Sequence, residues 1–217
     1  MKSKYNFREL MKERHSCRKF QSKPIPEEVL KDIISISLMA PSWCNSQPWN
    51  IYVATGNTLE EIRKEWMAKG KDKVKGYGDL DAGHRTDFSE RSQGKMAEFF
   101  KSWEHLPNPK EADECNYYLF NAPAMVYLTI NKGHTKYSVL DLGGIEMSIM
   151  LAAKDHGVDS IPAYMTIMYP DVLRKYLKIS DKEDIVIGIA LGYEEKCELN
   201  DHRSPKLTLE ETCHFFN

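Results

Sequence analysis

Three apolar runs rich in β-branched and aromatic residues constrain the fold of this chain most, because such runs are typical of strands. They are residues 49–54, 124–130 and 185–191. Helical segments separate them, as in a parallel dinucleotide-binding sheet, but the glycine fingerprint of that fold is missing. Gly76-Tyr77-Gly78 has no third glycine at the required place, and no Gly-x-x-x-x-Gly-Lys occurs. If a nucleotide binds, arginine side chains must hold it.

Helix-start signals occur at three places in the first third of the chain. Asn6 with Glu9, and Thr58 with Glu61, have the spacing of capping boxes. Pro26, followed by two glutamates, is typical of a first helical turn. We therefore predict helices that begin at Asn6, near Pro26 and at Thr58.

A long, mostly buried helix is predicted over residues 137–156. It contains Gly143 and Gly144, each of which costs about 1 kcal/mol relative to alanine in a helix interior. Glycines in such a place predict that another group approaches the helix backbone closely.

The region between the first two strands, at about residues 70–115, combines an irregular stretch with a helix carrying Met96, Phe99, Phe100 and Trp103. We interpret it as an excursion that covers a site. It is not interpreted as a second domain, because 217 residues form one sizeable core and nothing in the composition marks a boundary.

Charge and composition exclude several classes of function. Thirty basic and thirty-two acidic side chains give a formal net charge of -2, so no global positive field favours nucleic acid. The five cysteines are scattered without a Cys-x-x-Cys pair, and the histidines show no tight ligand spacing, which argues against a disulfide framework or a metal site. Residues 1–5 lead into charged sequence with no apolar signal segment, so we expect a cytoplasmic protein with reduced thiols.

Two short motifs are typical of ligand binding. Residues 14–18, Arg-His-Ser-Cys-Arg, place two guanidinium groups and a hydroxyl within five residues, which suits phosphate oxygens. Residues 40–49, Ala-Pro-Ser-Trp-Cys-Asn-Ser-Gln-Pro-Trp, set small and amide side chains between prolines, which suits a flat polar ring. Taken alone, the first motif is more commonly a set of surface residues at a helix end, and the second motif is a simple turn.

Together the motifs resemble the FMN-dependent nitroreductase family, whose members carry an Arg-x-Ser-x-Arg-like element followed by an Asn-Ser-Gln-Pro-Trp-like element. Further matching segments follow in family order at residues 141–143, 151–153, 157–162 and 187–193, and at Arg203. The resemblance implies an α+β fold with a central, mainly antiparallel sheet flanked by helices. It also implies an intertwined homodimer with FMN at the interface, formed by a single domain over residues 1–217.

Site residues follow from the same resemblance. Arg14, Ser16 and Arg203 would contact the phosphate or ribityl chain, and the loop after Pro41 would reach the flavin of the other subunit. The segment 160–164 resembles the one whose backbone amides approach flavin N5. The implied cofactor contacts are Arg14, His15, Ser16, Arg18, Pro41, Ser42, Trp43, Cys44, Asn45, Gln47, Asn116, Ser160, Ile161, Pro162, Ala163 and Arg203.

The implied activity is a ping-pong reaction in which NADH or NADPH reduces FMN, and FMN reduces a nitroaromatic, a quinone or a similar electron-poor acceptor. No side-chain acid or base is expected, because the flavin carries the chemistry. Trp43 and Tyr164 depart from the family pattern and are assigned to substrate access. Alternatives are another flavin chemistry, such as reductive dehalogenation or flavin transformation, or a non-catalytic flavin-binding or redox-sensing protein.

The C-terminal residues 193–217 lose apolar periodicity and end in Phe215-Phe216 before Asn217. Aromatic residues in such a tail indicate a contact surface. We therefore predict that the tail packs on a second subunit.

Overall fold

The computed structural model describes residues 6–216 and contains a four-stranded sheet with helices on both faces. Its strands are β1 (Trp49–Thr55), β2 (Ala124–Asn131), β3 (Asp159–Ala163) and β4 (Glu183–Gly192). They lie in the order β1-β2-β4-β3, and all neighbours are antiparallel. The predicted α+β class with a central antiparallel sheet is confirmed. Residues 1–5, from which the cytoplasmic location was predicted, and Asn217 lie outside the described residues.

The helices confirm two of the predicted starts and correct the third. Asn6 caps the first helix, where its side chain accepts a hydrogen bond from the Glu9 N–H at 3.1 Å. Pro26 precedes the second helix directly. The capping box at Thr58 is wrong, because the N-cap of the third helix is Thr55, three residues earlier. The α-helices are α1 (Phe7–Glu13), α2 (Glu27–Ser37), α3 (Gly56–Lys71), α4 (Glu90–Lys101), α5 (Glu111–Glu114), α6 (Lys136–Asp155), α7 (Pro170–Leu177), α8 (Glu198–Asp201) and α9 (Leu209–Thr212).

The central strand β2 separates two apolar cores. Its side chains alternate between faces, so Met125 and Tyr127 join the core formed with α3 and α7, while Val126 and Leu128 join the core formed with α2 and α6. All four side chains are fully buried. A strand covered on both faces has a continuous apolar sequence, which explains the run that first marked it.

Strand β3 carries no strand signal of its own in the sequence, because it is only five residues long and contains Pro162. It lies at an edge of the sheet, where proline is tolerated because a donor facing outward is not needed for pairing. The segment after α1 covers this edge: Ser16 forms a parallel bridge to Ser160, and the Cys17 N–H donates to the Ser160 carbonyl at 3.0 Å. The sheet edge therefore fixes the position of residues 14–18.

Asp79 holds the first part of the excursion between β1 and β2 to the rest of the fold. One carboxylate oxygen of Asp79 accepts from Arg174 at 2.9 Å and from the Ile185 N–H at 2.8 Å. The Tyr77 N–H donates to the Met168 carbonyl at 2.8 Å. The later part of the excursion buries Trp103 in the core shared with α3 and α7.

Within residues 6–216, the structure has no helix with the length and apolar character needed to cross a membrane.

A substitution at Gly188, which pairs with β3, tests how tightly the sheet is packed. A Cβ atom added there would meet the Thr166 hydroxyl and would lie 3.1 Å from the Tyr127 ring. We expect Gly188→Ala to lower the free energy of unfolding by about 1–3 kcal/mol, the usual cost of overpacking a core. Urea unfolding monitored by circular dichroism measures it.

Gly94→Ala is the matched control, because Gly94 lies in helix α4 and a Cβ atom there meets nothing within 4 Å. This control should raise the free energy of unfolding by about 1 kcal/mol through helix propensity. Equal effects of the two substitutions would contradict the packing described for Gly188.

Candidate functional site

A basic pocket of about 350 Å³ lies where the segment after α1 meets the C-terminal part of the chain. Five lining residues are Lys or Arg, and none of the ten lining residues is acidic. The pocket therefore suits an anion with several oxygen acceptors, such as a phosphate. It is lined by Met11, Lys12, Arg14, His15, Ser16, Arg18, His202, Arg203, Ser204 and Lys206.

The end of α1 determines which side chains of the first motif reach this pocket. The chain becomes extended at Arg14, whose N–H closes the helix by donating to the Leu10 carbonyl at 2.9 Å. Side chains alternate in an extended segment, so Arg14, Ser16 and Arg18 share one side. The predicted phosphate motif is therefore assembled by a helix end followed by an extended segment.

His15 holds this segment to the end of β4. Its Nδ1 lies 2.8 Å from the Glu13 carbonyl and its Nε2 lies 3.0 Å from a Glu194 carboxylate oxygen. Both ring nitrogens thus have protein partners. The ring therefore positions the segment, and His15 can contact a ligand through its backbone.

Arg14 and Arg18 bring buried donors to the pocket. The buried Nε of Arg14 has no hydrogen-bond partner among the described residues. Arg18 is 8% exposed, donates from Nη1 to the Ser16 carbonyl at 3.2 Å, and lies 5.4 Å from the centre of the Trp103 ring. The unpartnered Arg14 donor is the group that a bound phosphate would satisfy.

Asn200, which sequence reasoning missed, ties the C-terminal part of the chain to the first motif. Its side-chain oxygen accepts from the Arg18 N–H at 2.7 Å, and its amide donates to the Lys19 and Glu195 carbonyls at 2.8 Å each. Because Asn200 is fully buried and bonded on every side, it places Arg203 at the pocket. Nothing in the sequence distinguishes it from any other polar residue of the tail.

His202 connects the pocket to the excursion. Its Nε2 lies 3.1 Å from the Ser102 hydroxyl oxygen, just after α4. Burial lowers the pKa of His202, and the positive charges of Arg18 and Arg203 lower it further. Lys12, His202 and Lys206 were not predicted as site residues, and their only signal was proximity in sequence to Arg14 and Arg203.

The second motif lies apart from the basic pocket within one chain. None of Pro41, Ser42, Trp43, Cys44, Asn45 and Gln47 lines that pocket. The loop folds on helix α6 instead: the Trp43 N–H donates to Asp141 at 3.1 Å, and the Trp43 ring lies 4.8 Å from that of Tyr137. Cys44, Asn45 and Gln47 have positive φ angles of 43–57°. The loop is a tight, exposed structure on the α6 face.

The remaining predicted residues lie on β3 and on the excursion side. Ser160, Ile161, Pro162 and Ala163 belong to β3 and pair with β4, and Ser160 meets Ser16 next to the pocket. The Tyr164 hydroxyl lies 3.3 Å from the Leu80 carbonyl, so its ring contacts the excursion.

Asn116 is not brought to the basic pocket. It lines a separate cavity of about 290 Å³ with Trp66 and Tyr117, and its amide donates to the Asp113 carbonyl at 2.9 Å. The first motif and Arg203 thus converge in one chain, whereas Asn116 and the loop after Pro41 do not join them.

Residues 11–193 match the model of the nitroreductase family. The chain belongs to that family. The matched range runs from the basic pocket to the end of β4, so it covers the sheet, α6 and most of the site. The resemblance predicted from the motifs is confirmed.

Relatives and solved structures agree with the family match. The 4-nitrobenzoate reductase of Pseudomonas putida is 28% identical over 97% of this chain and 95% of its own length. The nitrobenzene nitroreductase of Ectopseudomonas oleovorans is 28% identical, with 94% and 93% covered. The FMN-dependent nitroreductase NfnB of Mycobacterium smegmatis, solved with NADPH, superposes with a TM-score of 0.87 at 22% identity over 96% of both chains, which shows the fold.

His202 predicts a pH dependence of stability in the ligand-free protein. A histidine whose pKa is lowered by folding binds a proton more readily in the unfolded chain, so its contribution to stability is lost as the pH falls below the unfolded pKa of about 6.5. Relative to His202→Gln, the parent should lose free energy of unfolding between pH 7.5 and 5.5. Urea unfolding at both pH values measures it, and parallel pH profiles would contradict the described environment of His202.

Proposed function

We propose that this chain is an FMN-dependent NAD(P)H oxidoreductase that reduces nitroaromatics, quinones or similar electron-poor acceptors. The observation that carries the proposal is the convergence of Arg14, Arg18 and Arg203 on one pocket free of acidic lining residues. Family membership supports the redox class, and the names of the two relatives described above support nitroaromatics as acceptors.

The residues of the basic pocket fit the phosphate of FMN. Three guanidinium groups line a pocket of about 350 Å³, and one of them has a buried N–H donor that finds no partner in the described part of the chain. A phosphate monoester is close to doubly charged at neutral pH and offers three acceptor oxygens. Arg14, Arg18 and Arg203 would hold it, with Ser16 as a hydroxyl donor.

The protein would supply binding, orientation and exclusion of water. When bound, FMN supplies the redox chemistry, taking two electrons from NADH or NADPH and passing them to the acceptor. His15 and Glu194 hold the phosphate-binding segment against β4, and the contact between Ser16 and Ser160 aligns it with β3. In this proposal the backbone of residues 160–163 borders the flavin ring, and Trp43 and Tyr164 limit access of the acceptor.

The excursion would cover the phosphate end of the cofactor. The Arg18 guanidinium lies 5.4 Å from the centre of the Trp103 ring, and Ser102 contacts His202, so residues on both sides of the pocket are linked to the excursion. Lys19, directly after the first motif, adds an ion pair with Glu111 of α5. These contacts support one domain in which the excursion belongs to the site.

An apolar face on α1, α2 and α6 supports a homodimer. Met39 is 82% exposed and Leu140 is 68% exposed, and Trp43 and Phe7 are exposed as well. Exposed apolar patches of this kind mark interfaces. Among the described residues, no atom outside the helix lies within 4 Å of a Cβ placed on Gly143, and at Gly144 the Pro41 carbonyl lies 4.0 Å away, which is ordinary contact and not the close approach predicted at this pair. A second copy would provide it and would bring the loop after Pro41 to the partner's cofactor, while Arg203 stays at the basic pocket of its own chain.

Anaerobic reduction tests the proposed function. The FMN-loaded protein should be yellow and should bleach when NADH or NADPH is added, and a nitroaromatic or a quinone should restore the colour. Stopped-flow absorbance near the flavin maximum measures both half-reactions. A persistent yellow colour with both nucleotides would contradict the oxidoreductase and favour a flavin-binding protein.

Arg203→Ala tests the phosphate anchor. A hydrogen bond to a charged group contributes about 1.5–3 kcal/mol, so loss of this arginine should weaken FMN binding by about tenfold to a hundredfold. The variant should be isolated pale and regain its colour in excess FMN, as absorbance titration would show. Unchanged FMN content would refute the anchoring role. Lys206→Ala, in the same pocket, should have a smaller effect because an ammonium group lacks the forked donors with which a guanidinium group binds two phosphate oxygens.

Leu140→Glu tests the homodimer. A charge placed on the exposed apolar face of α6 would be buried without a partner in a dimer, so dissociation should increase strongly. Light scattering after size-exclusion chromatography measures the mass. A parent protein that is monomeric at micromolar concentration would contradict the homodimer. The control is Lys132→Glu, in the turn before α6, which should leave the mass of the parent unchanged.

A further inference from the structure

His202 lies where the basic pocket, the C-terminal part of the chain and the excursion meet. It lines the pocket together with Arg14, Arg18 and Arg203. Its Nε2 is also 3.1 Å from the Ser102 hydroxyl oxygen. It is therefore the one histidine of the pocket whose ring is not held between two protein acceptors, because His15 has its two ring nitrogens engaged by Glu13 and Glu194.

The hydrogen-bond partners determine which ring nitrogen of His202 changes its protonation. The Ser102 hydroxyl donates its single proton to the Phe99 carbonyl at 2.6 Å. Its oxygen must then accept from His202, so Nε2 carries a hydrogen in the neutral ring as well as in the charged one. Gain of a proton occurs at Nδ1, and it leaves the contact with Ser102 intact.

The positive charges around His202 disfavour protonation of its ring while the pocket holds no anion. Burial lowers the pKa of His202 first, and Arg18 and Arg203 lower it further. The other charged lining residues, Lys12, Arg14 and Lys206, are also cationic. Asp113 acts on Arg18 from the excursion, and Ser102, the excursion residue bonded to His202, is neutral.

An anion bound in the pocket has the opposite effect and favours the protonated ring of His202. A negative charge within about 4–6 Å of a titratable group typically shifts its pKa by 1–3 units toward the charged form. A phosphate dianion adds two negative charges to a pocket whose lining contains no carboxylate. The imidazole then gains a favourable partner in its cationic form.

We propose that His202 is a phosphate ligand of this site and takes up one proton when the phosphate monoester of the flavin nucleotide binds. The inference rests on the proposed function, because it assumes that the pocket holds that phosphate. The proton comes from solvent and goes to Nδ1, no covalent bond changes, and the net charge of the complex rises by one. Binding of the cofactor is thereby linked to pH, and by reciprocity a lower pH favours retention of the cofactor.

The experiment compares FMN affinity at pH 6.5 and pH 8.5 for the complete chain, its His202→Gln variant and its His202→Lys variant. Glutamine keeps a donor for Ser102 but cannot become charged, whereas lysine stays charged at both pH values. Quenching of flavin fluorescence gives the dissociation constant. His134→Gln is the control, because His134 pairs with Asp184 near the start of β4, at the other end of that strand from Glu194.

Relative to His202→Gln, the parent should lose about tenfold in FMN affinity between the two pH values, since its complex holds one proton more. The ionisation of the FMN phosphate, with a pKa of about 6, affects all variants alike and cancels in this ratio. His202→Lys should follow the glutamine variant in its pH profile but bind more tightly. Riboflavin, which has no phosphate, should show no difference between parent and glutamine variant.

Identical pH profiles of the parent and His202→Gln would overturn the role of His202, even if both bind FMN well. A difference that persists with riboflavin would also overturn it, because the effect would then not come from the phosphate. A parent protein that binds no FMN at all would instead refute the proposed function, on which the inference rests. Calorimetry of FMN binding at pH 7.5 in two buffers of different ionisation enthalpy counts the proton directly, and a count equal to that of the glutamine variant contradicts the proposal.

Discussion

The repulsion among the cations of the basic pocket is the constraint on which the site depends. Arg14, Arg18 and Arg203 are brought together without an acidic lining residue, so the fold must hold them in place by other means. Hydrogen bonds to other parts of the fold do this: Asn200 joins the tail to the backbone of the first motif, the Ser16–Ser160 bridge joins that motif to the sheet, and His15 contacts the Glu194 carboxylate. Folding already holds the donors close together against their repulsion. The site is therefore preorganised for an anion, and a bound anion stabilises it.

The sheet explains why these groups meet where they do. β2 and β4 occupy its centre and are packed on both faces, which leaves β3 at an edge. That edge is short and contains Pro162, so it is covered by the extended segment that carries Arg14 and Arg18. The other face of the fold, on α1, α2 and α6, has exposed apolar side chains and carries the loop after Pro41. The two predicted ligand motifs thus lie on different surfaces of one subunit, which is the arrangement expected if a cofactor is shared between two copies.

Much of this architecture was predictable from local sequence. The three long strands, the capping box at Asn6 and the helix over α6 depend on periodicity and on neighbouring residues, and all were predicted to within a few positions. The Thr58 start failed because Thr55, an extended residue at the end of β1, begins the helix earlier. β3 was missed because its pairing depends on β4, about twenty residues away, and not on its own composition. The arginine-rich motif itself pointed to Arg14, and family resemblance supplied Arg203. Asn200 and His202, in contrast, derive their roles from contacts across the fold that no local pattern encodes.

A crystal structure of the FMN complex would locate the phosphate and thereby test whether the basic pocket binds it. Phosphate oxygens are expected within hydrogen-bond distance of the Arg14 Nε, which has no partner among residues 6–216, and of Arg18 and Arg203. Density for the phosphate elsewhere, with Arg14 Nε still unpartnered, would contradict the assignment of this pocket and with it the proposed placement of the cofactor.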